Sequence, residues 1–505
     1  MTRPSFRRFA GGLIACCTAV SGLALGTAVS ASAGASSAHA PQVTGVQKAA
    51  RCVSTPFRSQ PAKTLWYRIP SVVRTNAGTL LAFAEARDNS DASDMGDYDI
   101  ALARSTDGGC SWSEPRVIAS DAANRVASPS AMVDRETGKI LLFSNITERP
   151  NSGGRGKGLY LQTSTDDGKS FSPLLANQIR PNDDIRGGMP GPGHGIQLTR
   201  TNKGRLVVPV VYRTKEGVYG AYGIYSDDHG KSWQVGYHQL DHSRKQNWIE
   251  GTVAETDNGD VFISYRAGRH GTPAGQARVW GISKDGGRSL AGKGLTRSKL
   301  PVVSVQGSAL VPTGRYDDVL LYSSPAERDR NLRRDMSIFV SDTGGRTWDS
   351  RYQMKLHSTP AAYSDLVQLG SNLGILYETG VVGWKEEIVF ETVPISQVLN
   401  PTKVGSRMSF YRNPRPVPAS QNAKAQVRIK VPGTARPQGR VTLTATADNG
   451  RKSSASVDLT YSNRGSRWVV LPKLDTGTYR LTLTYSGTVR IKGTTVSAGT
   501  LRVTR

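Results

Sequence analysis

The sequence predicts an all-β protein: a repeated sheet unit followed by a smaller β module. Three observations predict it. Glycine (54) and proline (26) make up about 16% of the 505 residues, above the usual ~12%, which favours turn-rich β structure over helical bundles. A short turn motif recurs five times at nearly constant spacing. The C-terminal part is written in short strands of alternating polarity between Gly, Asp and Asn turns.

Taken in chain order, the first element is a targeting segment. Arg3, Arg7 and Arg8 form a basic start, and an apolar, small-residue run follows from Phe9 to about Val29. Two Ala-x-Ala sites then end at Ala33 and Ala40. This is the pattern of a secretory signal peptide over residues 1–40, with cleavage after Ala40 favoured over Ala33. Leu13 to Cys16 resembles a lipoprotein box only faintly. Loss of residues 1–40 removes three arginines and no acids, so a net charge of +25 becomes +22. Four cysteines in a chain this long exclude a disulfide-framework protein. Cys52 and Cys110 remain after cleavage, in an oxidising compartment. They either pair or stay as free thiols, and the sequence does not separate the two. No other apolar run approaches the ~20 residues that span a bilayer. The expectation is a secreted, extracellular protein.

The repeats come next. Ser105, Asp107, Gly109, Ser111 and Trp112 make the first copy, and Ser164, Asp166, Gly168, Ser170 and Phe171 the second. The third is Ser226, Asp228, Gly230, Ser232 and Trp233. The fourth is Ser283, Asp285, Gly287, Ser289 and Leu290. The fifth, Ser341 to Trp348, has Thr343 where the others carry Asp. Copies start 59, 62, 57 and 58 residues apart. Each reads as a hairpin turn: Asp accepts from backbone N–H groups, Gly takes a positive φ, and the aromatic packs between strands. Read as metal ligands, these aspartates would need more acids at alternate positions. A period near 60 fits one four-stranded blade with its loops. Residues 41–410 therefore read as a six-bladed β-propeller, with strands from both ends closing the sixth blade.

Residues 411–424 contain Pro414, Pro416 and Pro418 and read as an extended linker. Residues 425–505 read as a small Ig-like β-sandwich. It has no His and no Cys, so neither metal nor nucleophile is expected there. Residues 421–505 hold 15 Lys and Arg against 3 Asp, a net +12. That makes the module a candidate for contact with anionic surfaces or polymers, beside the plainer reading of a basic spacer. Nucleic-acid binding is not expected, because no basic helix, zinc pattern or aromatic–basic strip is evident.

A propeller says nothing about function by itself. The specific signals lie outside the turns: Tyr67 to Pro70, Leu80 to Arg87, Ser93 to Gly96, Gly191 to Gln197, Glu250 to Glu255, Ser264 to Arg266, Arg333 to Met336, Ala362 to Leu366, and Leu376 to Glu378. In this order, with the turn motifs (Asp boxes) between them, they resemble the exo-sialidase (neuraminidase) family of six-bladed propellers over roughly residues 55–395. The resemblance implies an arginine triad at Arg68, Arg266 and Arg333. A triad suits a sugar whose anomeric carbon bears a carboxylate, since arginine presents a planar fork of donors. It implies that Arg87 lies near the sugar's C4 side and that Glu378 braces the first arginine. Arg334 is the neighbour from which Arg333 must be told.

The resemblance further implies Tyr363 as nucleophile, the tyrosine exception among glycosidases. A carboxylate nucleophile would meet the substrate's own carboxylate. A phenol avoids that repulsion, but its pKa near 10 demands an adjacent base. Glu250 matches that partner, with Glu255 as its rival. Asp94 matches the acid/base, with Asp91 as runner-up in an aspartate-rich loop. Ser128 departs from the family, where Asp or Asn commonly precedes the proline, and this leaves the preferred sialic acid open.

The reading is a secreted retaining exo-α-sialidase acting on sialylated glycoproteins, gangliosides and oligosaccharides. The chemistry requires no metal and no organic cofactor. Two alternatives keep the site: a trans-sialidase, or a hydrolase of a related nonulosonic acid such as the deaminated sugar. A third is a non-catalytic sialic-acid-binding adhesin.

Overall fold

The computed structural model describes residues 52–505 except 91, 95, 149–155, 178–184, 244–245, 269–271, 273–275, 315, 327–331, 349–352, 400–404, 432–436, 438, 460–462, 464 and 488–490. The expected signal peptide, with Ala33 and Ala40, and the runner-up Asp91 lie outside the described residues.

The described part of the chain is almost entirely β. Among the described residues, six sheets occupy residues 53–394 in sequence order. The first is a four-strand meander of Leu65–Arg74, Leu80–Asp88, Asp97–Ser105 and Arg116–Ala119. The fourth runs Ile249–Glu255, Val261–Arg266, Arg278–Ser283 and Thr296–Arg297, and the others follow the same plan. The sixth takes Ala361–Leu369, Asn372–Thr379 and Glu387–Pro394, then closes with Val53–Arg58 from the other end of the chain. The first strands of successive sheets touch one another in a closed circuit, with the sixth returning to the first. Their apolar positions are buried on both faces, as in Leu80–Asp88, where Leu81, Ala82, Phe83 and Ala84 are all fully buried.

The repeated turns explain how neighbouring sheets are locked. In the first, the Asp107 carboxylate accepts from the backbone N–H of Cys110 and Ser111 and from the hydroxyls of Ser105 and Ser111, while Ser105 Oγ accepts from Gly109 N–H at 2.8 Å. The motif aromatic reaches beyond its own sheet. Trp112 lies edge-on to Phe390 of the sixth sheet, Phe171 to Phe83 of the first, Trp233 to Phe143 of the second, and Trp348 to Phe262 of the fourth, with centroids 4.9–6.3 Å apart. Four of the five turns therefore bury an aromatic against the preceding sheet, a sharper role than packing between strands of one sheet; the fourth carries Leu290 instead. Gly109 has φ +92°, and a Cβ there would come within 2.1 Å of the Phe390 ring. Both constraints demand glycine. A disulfide joins Cys52 to Cys110, tying the closing strand to the first turn.

The expected boundary at 410 and the linker at 411–424 need correction. Arg407–Arg412 is a strand paired antiparallel with Lys424–Lys430, and Val417–Pro418 pairs parallel with Val503 and Thr504. Met408 is buried and Phe410 packs beside it in the C-terminal core, so the stretch belongs to the second module. Prolines at a sheet edge look like a linker in sequence because both lack regular ladder donors. The module has a three-stranded sheet, Arg407–Arg412, Lys424–Lys430 and Ser466–Val470, and a five-stranded sheet. Val427, Ile429 and Val469 of the first sheet share one core with Val441, Leu443, Leu481, Leu483 and Val503 of the second.

Candidate active site

The inner strands are not regular. In five of the six sheets the first strand carries a bulge at the same level: Arg68/Ser71, Ala127/Ser130, Arg186/Met189, Ile249/Gly251 and Ala361/Ser364. Ile69, Ser128 and Glu250 there have φ of 59°, 57° and 53°, a region that side chains with a Cβ rarely adopt. Bulges re-aim side chains and store strain at functional sites. Here they turn Arg68, Ser128, Met189, Glu250 and Tyr363 toward one cavity of about 690 Å³.

The cavity is built from ion pairs. Arg68 is buried and its Nε donates to Glu378 Oε1 at 2.7 Å, while the same oxygen accepts from Ile69 N–H at 2.8 Å. Glu378 Oε2 accepts from the Tyr363 backbone N–H at 3.2 Å, so one buried carboxylate fixes both the arginine and the tyrosine's strand. Arg266 Nη1 donates to Glu250 Oε2 at 2.9 Å and to the Tyr363 hydroxyl at 3.3 Å. Tyr363 donates its hydroxyl to Glu250 Oε1. Arg333 lines the cavity, and no ion pair links it to a carboxylate among the described residues. Arg334 turns away to donate to Ser358 O at 2.9 Å, which separates it from Arg333.

Arg87 is buried, donates to Glu85 Oε2 at 2.6 Å and to Asp94 Oδ1 at 2.8 Å, and stacks over the Tyr98 ring. Asp94 stands at the rim with its side chain 88% exposed. Of the aspartates described in its loop, it alone lines the cavity; Asp88 accepts from Thr64 instead. Glu255 points elsewhere, accepting from Thr199 and Arg200 N–H groups at the edge of a second cavity. Glu250, not Glu255, therefore faces Tyr363.

The electrostatics follow from burial. Burial, and then the charge of Glu250, push the Tyr363 phenol above its ordinary pKa, while Arg266, Arg333 and Arg68 pull the other way. A buried phenol in such a place stays protonated and can react only as it hands its proton to a neighbour. Partial loss of water around Asp94 at the cavity rim opposes its ionisation. The adjacent Arg87 charge and hydrogen bond, with Arg68 and Arg333, outweigh it and hold the carboxyl below its usual value. Burial lowers Arg333, as do the like charges of Arg266 and Arg68.

Several cavity residues carry no motif-level signal. Trp384 lies against two guanidiniums, with Arg68 at 4.3 Å and Arg333 at 4.9 Å from the ring centroid. It sits in a short loop beside Gly383, where no periodicity marks it. Glu85 binds Arg87 and also accepts from Ser128 N–H at 2.8 Å. That one was visible: a carboxylate two positions before Arg87 in an otherwise apolar strand shares its face. Ser93, Arg125, Asn145 and Lys385 also line the cavity. Ser128, the family departure, does line the cavity. No group of three or more His, Cys, Asp or Glu is arranged to hold a metal among the described residues. No helix among them is long and apolar enough to cross a membrane.

Comparison with known proteins shows what this chain is similar to. The model of the BNR repeat-like domain family matches residues 78–376. A sialidase of Bacteroides fragilis is 28% identical over 361 residues, covering 66% of this chain and 63% of that protein. A sialidase of Micromonospora viridifaciens is 30% identical over 338 residues, covering 62% of this chain and 50% of that protein. The chain thus spans between half and just under two thirds of the length of these curated relatives. Among solved structures, a Hadza microbial sialidase superposes with a TM-score of 0.58 at 25% identity, over 68% of this chain and 69% of that one.

Proposed function

We infer the function from one premise: this chain belongs to the BNR repeat-like domain family, whose match spans most of the six sheets. The six sheets are read as the blades of a propeller, and the protein as a secreted retaining exo-α-sialidase. The observation that carries the reading is the contact of the Tyr363 hydroxyl with Glu250, set among Arg68, Arg266 and Arg333 in one cavity.

The arginines would bind the substrate carboxylate and hold the anomeric carbon over Tyr363. As the phenolic oxygen bonds to that carbon, its proton passes to Glu250, and Asp94 protonates the departing glycosidic oxygen. In the second step Asp94 takes a proton from water, the water oxygen bonds to the anomeric carbon, and the tyrosyl bond breaks with return of the proton from Glu250. Two inversions give net retention. Glu378 is a positioning residue for Arg68 and for the strand of Tyr363.

The test is release of the fluorophore from an aryl α-sialoside by the protein and by Tyr363→Phe. The reading expects hydrolysis by the parent, and a fall of roughly 10³-fold or more in kcat for the variant, with NMR detecting the α-anomer first. A folded parent that binds sialosides without cleaving them would instead mark an adhesin. Faster cleavage of the deaminated sugar would assign Ser128 and its surroundings to that substrate.

A further inference from the structure

The C-terminal module has an outer face that the catalytic reading does not use. On the three-stranded sheet, Ala425, Val427 and Ile429 point into the core, so Lys424, Gln426, Arg428 and Lys430 point outward. The ladder sets Arg407 beside Lys430, Ser409 beside Arg428, and Arg412 and Trp468 on either side of Gln426. A bulge between Phe410 and Arg412 leaves Tyr411 on the same edge. Tyr411 is 57% exposed and Trp468 41% exposed. Each aromatic has a cation over its ring: Lys424 Nζ lies 5.8 Å from the Trp468 centroid, and Arg428 5.4 Å from that of Tyr411.

Among the described residues of the module, no acid stands on this face. The module's three aspartates lie elsewhere: Asp458 on the other sheet, paired with Arg440; Asp475 before another of its strands, paired with Arg451; and Asp448 in a turn. The sequence alone showed a net +12 but no aromatic–basic strip, because the strip is assembled from three separated strands. Exposed aromatics on a soluble surface mark a contact site when they cluster with matched polar groups.

We propose that this face binds an acidic polysaccharide chain. Two strand spacings separate the Tyr411 and Trp468 columns by roughly 10 Å, about the length of two sugar units. The apolar faces of pyranose rings suit aromatic platforms. Lys424, Arg428 and Lys430 meet carboxylates, and Gln426 and Ser409 offer neutral partners to hydroxyls. A single-stranded nucleic acid would also use aromatics and cations. The neutral amide and hydroxyl set among them, and only two stacking rings, favour the glycan. The proposal does not rest on the catalytic reading.

The experiment is affinity electrophoresis of the full chain in gels containing polygalacturonate, neutral dextran or neither, with oligo(dT) binding measured alongside. The expected result is retardation by polygalacturonate and none by dextran. Trp468→Ala with Tyr411→Ala should weaken binding at least tenfold. The Phe pair at the same positions should restore it, and hydrolysis of a small sialoside should be unchanged in both. Retention that survives the Ala pair and falls only on Lys424→Glu with Arg428→Glu would overturn the proposal in favour of a purely electrostatic surface. Equal binding of dextran, or tighter binding of oligo(dT) than of polygalacturonate, would overturn it as well.

Discussion

The Asp94–Arg87 pair sets a conflict within the proposed chemistry. A general acid must carry a proton, yet the guanidinium stabilises the carboxylate at this rim. Above the lowered pKa the protonated fraction falls tenfold per pH unit, so kcat/KM for a natural sugar leaving group should decline as pH rises. Arg87→Met removes the stabilising charge and should move that decline to higher pH. Asp94→Asn should cost about 10²-fold or more with sialyllactose but far less with an aryl sialoside, whose leaving group needs little protonation. Equal losses on both substrates would remove Asp94 from the acid role. Trp384 makes a separate case. It flanks Arg68 and Arg333, two of the guanidiniums proposed to bind the substrate carboxylate, and such contacts are worth ~0.5–2 kcal/mol each. Trp384→Ala should therefore raise KM roughly tenfold with a smaller change in kcat, as binding and chemistry separate in steady-state kinetics.

At the scale of the element, the repeated turn is a stability device. Hydrogen bonds from the hydroxyls of Ser111 and Ser232, first among several donors, hold Asp107 and Asp228 at about 2. The unfolded value is ~3.9, so this stabilisation is present above about pH 4 and is lost as pH falls toward 2. The fifth turn shows what the charge adds. Thr343 Oγ1 still accepts from Thr347 N–H at 2.9 Å, but as a neutral acceptor. Thr343→Asp should raise the urea midpoint by the equivalent of ~0.5–1 kcal/mol near neutral pH, and the gain should vanish near pH 2. Asp228→Ala should cost about 1 kcal/mol in the same assay. The motif aromatic was legible as a packing residue, but its partner was not. Phe390 and Phe83 lie far from their partners Trp112 and Phe171 in sequence, and only the closed circuit of sheets brings each pair together.

For the whole molecule, closure depends on its first strand. Val53–Arg58 completes the sixth sheet, and the Cys52–Cys110 bond fastens it 58 residues away. A cross-link over a loop of that length should contribute about 2–4 kcal/mol. Cys110→Ser, or reduction of the folded protein, should lower the unfolding midpoint accordingly while leaving kcat unchanged at 25 °C, since neither cysteine reaches the cavity. A midpoint unchanged by reduction would show that strand pairing alone closes the ring.

The sequence by itself determined the all-β class and the five turns, because turn chemistry is local; its family resemblance pointed to Arg68, Arg87, Asp94, Glu250, Arg266, Arg333 and Tyr363 around the cavity, but nothing in it marked Trp384. It left Arg333 beside Arg334 and Glu250 beside Glu255, and could not say whether two cysteines meet. Those choices belong to bulges and ladder registers, which a one-residue shift inverts, so only the folded strands decide them. The misplaced linker has the same cause. A proline-rich edge strand looks like free chain until its partner, residues Val503 and Thr504, arrives from the far end of the sequence.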